Sequence, residues 1–110
     1  MDTMLLEPEL LERAFHSLAP EDRAEIFSVG AAFHRLNLAK KTERAESKVR
    51  ELEARYHTTL TQIEAVGIPD DADYGMHEDY IEWHYWSRTL EQSRKALSTL
   101  SALLPAAESA

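Results

Sequence analysis

Residues 20–66 read PEDRAEIFSVGAAFHRLNLAKKTERAESKVRELEARYHTTLTQIEAV, and the reading of this stretch decides the fold. After Pro20 it contains no proline, and Gly30 is its only glycine. Good helix formers fill most of the rest. The simplest expectation is one helix from Pro20 to Val66, roughly 70 Å long at ~1.5 Å per residue. Pro20 suits a first helical turn, Glu21 and Asp22 suit the positive end of the helix dipole, and Ser17 is a nearby candidate cap.

Placing side chains at about 100° per residue separates two apolar stripes. Phe27, Ala31, Leu38, Ala45, Val49, Leu52, Tyr56, Leu60 and Ile63 run the whole length. Ile26, Val29, Ala32, Phe33 and Leu36 form a second stripe on a different face, confined to the first half. That second face is where a short preceding helix, about residues 7–18, has room to fold back. Pro8 opens that helix, and Leu10, Leu11, Ala14, Phe15 and Leu18 recur at helical spacing.

On the other side, Gly67, Pro69 and the aspartates 70, 71 and 73 mark a loop over 67–75. A further helix is expected over about 76–104, stopped by Pro105. Its seam is Trp83, Trp86, Leu90, Ser93, Leu97, Leu100 and Leu104, alternating in steps of three and four. The short loop predicts an antiparallel, coiled-coil-like helical hairpin, with Val66 near Tyr80 and Leu38 near Leu104. The tail 105–110 is expected to fray. The chain therefore reads as a single all-α domain over 1–110. Two helices enclose no core, so a homo-oligomer, with a dimer favoured, is expected to complete a bundle through Phe27, Phe33, Leu36 and Leu38.

The 110 residues contain no cysteine, which excludes disulfides, thiolate metal sites and cysteine nucleophiles. The opening Met1-Asp2-Thr3-Met4-Leu5-Leu6-Glu7 lacks a basic region ahead of its short apolar run, so no signal peptide is expected. No apolar run approaches the ~20 residues of a membrane span. A cytoplasmic protein without a membrane partner is the expectation. The net charge of −8 is unevenly spread: −5 over residues 1–34, +3 over 35–55, −7 over 56–82 and +1 over 83–110. The basic run from Arg35 to Arg55 is interleaved with Glu43, Glu46, Glu51 and Glu53, a salt-bridged helix surface rather than a nucleic-acid stripe.

Residues 64–86 hold seven acids, five of the nine aromatics and no Lys or Arg. Trp83 and Trp86 lie on the seam and read as core. Ile81 and Tyr85 fall on the opposite face, where exposed apolar side chains mark a second interface, expected as a contact between copies of the chain before a foreign partner. Tyr74, Tyr80, Glu78 and Glu82 complete the expected partner-binding set. His77 and His84 are a poor chelating pair, because seven helical residues separate them by roughly 10 Å. A loop beginning at Asp70 fails the calcium-binding register, since Ala72, Tyr74 and Ile81 occupy ligand positions. No spacing supports nucleophilic catalysis or a phosphate-binding loop, so no cofactor is expected.

The segment Leu18-Ala19-Pro20-Glu21-Asp22-Arg23-Ala24-Glu25-Ile26 resembles the Leu-x-Pro-Glu-x-Arg-x-Glu-Leu opening of some bacterial addiction-module antitoxins. It covers nine residues, a generic helix start has the same pattern, and no family is assigned from it. The turn lacks the Trp-x-Gly of the small secreted helical-hairpin proteins, which sets that family aside.

The functional expectation is a non-enzymatic, self-associating regulatory or adaptor module that binds a protein partner. One alternative is an antitoxin or inhibitor that masks a basic, nucleic-acid-handling protein with its acidic segment. Another is a carboxylate and histidine metal site assembled between protomers from Glu78, Glu82, His77 and His84.

Overall fold

A computed structural model describes residues 7–104. It contains α1 (Pro8–His16), α2 (Pro20–Tyr56), α3 (Leu60–Val66) and α4 (Tyr74–Leu103). The all-α helical hairpin expected from the pattern is present, with α2 and α4 packed antiparallel as its two arms. The molecule is elongated, 62 × 41 × 23 Å. No described helix is long and apolar enough to cross a membrane. The tail expected to fray lies outside the described residues.

The 20–66 helix is broken where the sequence predicted continuity. His57 adopts the left-handed conformation (φ 55°, ψ 38°) and ends α2. Thr59 then starts α3 with a capping box: its hydroxyl accepts from Gln62 N, while the Gln62 side chain accepts from Thr59 N. The Thr-x-x-Gln signal was present at 59–62, but it gives no reason in itself to stop a helix that is already running. The break swings α3 so that Ile63 joins Leu52 and Trp83 in the core, with Tyr56, Leu60, Ile68 and Tyr80 packed around them. An unbroken helix would carry Ile63 past the end of the hairpin.

The hairpin register follows from three pairs. Thr42 hydrogen-bonds Ser93, Leu52 lies with Trp83 ten residues along, and Tyr56 meets Asp79 four further on. By the same stepping, Leu38 falls opposite Leu97 and Ala31 opposite Leu104, which corrects the expected match of Leu38 with Leu104. Val66 is 88% exposed rather than set against Tyr80. The expected register assumed that the loop closes directly on a straight helix, whereas α3 takes up the intervening chain.

The buried stripe of α2 is Ala31, Leu38, Thr42, Ala45 and Leu52. On α4 it is Trp83, Thr89 and Ser93, with Leu104 at its end. Of the expected seam residues, Trp86, Leu90, Leu97 and Leu100 are only half-buried, and Thr89 is a buried residue the pattern missed.

The first helix does not fold back. α1 buries no residue, and its Leu10 and Leu11 are exposed. The elbow to α2 is held by polar groups, with Arg23 Nη1 donating to the carbonyls of His16 (3.1 Å) and Leu18 (2.7 Å). Ser17 does not cap α2; its hydroxyl donates to Ala14 O within α1's last turn.

Candidate interaction surfaces

Three surfaces arise from this architecture. The first is the free face of α2. Because Ala31, Leu38 and Ala45 turn toward α4, the residues half a turn away point outward. There Ile26, Val29, Phe33 and Leu36 are 52%, 67%, 67% and 60% exposed. Phe27 is also exposed, but it belongs to the stripe of Ala31, Leu38 and Ala45, one turn before Ala31, and not to this row. Leu38 belongs elsewhere: it is 7% exposed and packed inside the hairpin, so it is unavailable to another chain.

The second surface is the outer face of α4. Tyr74, Ile81 and Tyr85 are exposed there, with Glu78 between them and Glu82 alongside. Ile81, Tyr85, Arg88 and Gln92 border a shallow groove of about 330 Å³. Tyr85 stands edge-on to Trp86 (4.9 Å between centroids), and the Arg44 guanidinium covers the Trp86 ring at 5.4 Å. Tyr80 is not part of this face. It packs on the Leu52–Ile63–Trp83 core and meets His84 edge-on at 4.7 Å, so it is a structural side chain rather than a free anchor.

The third surface is the loop end. Asp73 caps α4 by accepting from Met76 N at 2.9 Å. His84 Nε2 lies 2.9 Å from Glu64 Oε2, tying α3 to α4. Trp83 is 1% exposed, stacks on Tyr56 at 5.9 Å, and finds no hydrogen-bond partner for its indole nitrogen among the described residues. Above this core, the Tyr56 hydroxyl (2.5 Å) and Arg55 Nη1 (2.7 Å) both donate to Asp79 Oδ2. Those bonds hold the Asp79 carboxyl below the usual carboxylate range, the Tyr56 hydroxyl first and Arg55 second. The same bond to Asp79, with burial next, raises the Tyr56 phenol above its ordinary value. The sequence signalled Tyr56 as a stripe residue but gave no sign of its acidic partner, since Asp79 reads as one more solvated acid.

Among the described residues, no three His, Asp or Glu side chains lie where one metal ion could be held together. His77 and His84 do not combine with Glu78 and Glu82 within one chain; His84 is engaged with Glu64 instead. Comparison with family models, curated proteins and solved structures returns no match.

Proposed function

We propose that this protein is a non-enzymatic, acidic helical-hairpin module that self-associates and presents the outer face of α4 to a basic protein partner. The observation that carries the reading is the exposed apolar row Ile26, Val29, Phe33 and Leu36, opposite the face that α2 gives to α4. Contiguous exposed apolar surface of this kind is the usual mark of an interface. Sedimentation equilibrium at micromolar concentration tests it. A dimer that Phe33→Asp converts to monomer supports self-association; a parent chain that sediments as a monomer contradicts it.

The partner half of the proposal draws on charge. The segment 56–82 carries −7 with no Lys or Arg; it contains Ile81 and ends three residues before Tyr85. Apolar anchors rimmed by charge of one sign favour a partner of the opposite sign and speed its docking. Affinity capture with the parent and with an Ile81→Ala/Tyr85→Ala variant tests this half. A basic protein held by the parent, released by salt and lost with the variant supports it, and identical captures contradict it.

The same charge favours a second reading, an antitoxin or inhibitor masking a basic, nucleic-acid-handling protein. An adjacent gene for a small basic protein, neutralised on co-expression, separates this reading from a general adaptor.

A further inference from the structure

The free face of α2 is patterned more specifically than an apolar patch. Asp22, Ile26, Val29, Phe33, Leu36 and Lys40 follow one another in steps of four, three, four, three and four, the spacing of a two-stranded coiled-coil seam. All six are exposed. Asp22 and Lys40, at the two ends, form no ion pair among the described residues. The row is palindromic in chemistry, with an acid at one end, a base at the other and two apolar residues on each side of the middle.

We infer that this row is the contact between two copies of the chain, with α2 packed antiparallel on the partner's α2 about a two-fold axis at the level of Ala31. The inference rests on the self-association proposed above and adds its orientation and register. In this arrangement Val29 faces the partner's Phe33, Ile26 faces the partner's Leu36, and Asp22 meets the partner's Lys40, each pair occurring twice. A parallel pair would instead set Asp22 against Asp22 and Lys40 against Lys40 on the seam, where like charges repel.

Two further features agree with this register. The positions flanking the axis are Gly30 and Ala32, and a side chain added at Gly30 would meet nothing within 4 Å in its own chain, so two backbones can approach closely there. The acidic start of α2 (Glu21, Asp22, Glu25) lies along the partner's Lys40 and Lys41. The layers then run α4, α2, partner α2, partner α4. That order leaves the outer face of α4, with Ile81 and Tyr85, open on both sides of the dimer.

The chain has no cysteine, so single thiols report the register without interference. Asp22→Cys and Lys40→Cys are made separately on the full chain, checked for helicity by circular dichroism, and oxidised alone and mixed. In the antiparallel register the two thiols of a single variant are 18 residues apart along the axis, about 27 Å, which no disulfide spans. The expected result is a cross-linked dimer from the mixture and none from either variant alone. A companion test reverses the charges. Asp22→Lys and Lys40→Asp should each weaken dimerisation about tenfold, and the two changes together should restore it. Self-cross-linking of Asp22→Cys, or a mixture that fails to cross-link while sedimenting as a dimer, overturns the register and leaves self-association standing. A monomeric parent overturns both.

Discussion

Thr42 Oγ1 donates to Ser93 Oγ at 2.9 Å in the middle of the α2–α4 seam, and both residues are buried. Ser93 in turn donates to Leu90 O at 3.3 Å. A polar pair between apolar layers pins two helices in one register, because any slide leaves a hydroxyl buried without a partner.

That pair predicts an asymmetry. Thr42→Val leaves Ser93 with its bond to Leu90 and should change stability by less than about 1 kcal/mol. Ser93→Ala strands the Thr42 hydroxyl and should cost about 1–3 kcal/mol. The double variant should recover most of that loss. Urea unfolding of the three proteins checks it, and equal costs for the two single changes would contradict the assigned donor and acceptor.

The tryptophans should separate sharply. Trp83→Ala removes a fully buried ring from the Leu52–Ile63 core and should cost about 3–5 kcal/mol. Trp86 is half-buried beneath Arg44, so Trp86→Ala should cost under about 2 kcal/mol. Tyr85→Ala should leave the melting temperature of the hairpin unchanged and weaken only partner binding, since that ring is on the outer face.

The Tyr56–Asp79–Arg55 cluster predicts a pH window. Asp79 titrates below the ordinary carboxylate value of about 3.9, so its contribution is present above that value and lost as pH falls through its folded-state titration. Tyr56 titrates above its ordinary value of about 10, so its contribution is present below pH ~10 and lost as pH rises through the higher folded-state value. Stability measured against pH should therefore fall at both extremes. In Asp79→Asn the acid decline should shrink, and in Tyr56→Phe the alkaline one.

The break between α2 and α3 should respond to its two local determinants in opposite directions. His57→Gly places glycine where the backbone is left-handed and should raise stability by about 0.5–1 kcal/mol. Thr59→Ala removes the capping box and should lower it by about 1 kcal/mol. Thermal melts of both variants check the pair. A neutral Thr59→Ala would mean that tertiary packing of Ile63 alone holds the break.

Sequence periodicity determined the helical class, a loop after Val66 (expected over 67–75, although α4 already starts at Tyr74), the antiparallel hairpin, and the stripe through Ala31, Leu38, Ala45 and Leu52, because helical spacing converts directly into faces. It also marked Ile26, Val29, Phe33 and Leu36 as a separate face, and Ile81 and Tyr85 as outward. Tertiary structure alone decided the rest. The left-handed turn at His57 has local signals too weak to outrank a continuous helical pattern, and it persists together with the packing of Ile63 on Trp83. The register depends on which residues meet across space, as Thr42 meets Ser93, and no spacing within one helix encodes that. The same choice placed Leu38 inside the hairpin and Tyr80 in its core. It also left the second face of α2 uncovered, because α1 turns away at an elbow fixed by Arg23 rather than by apolar contact.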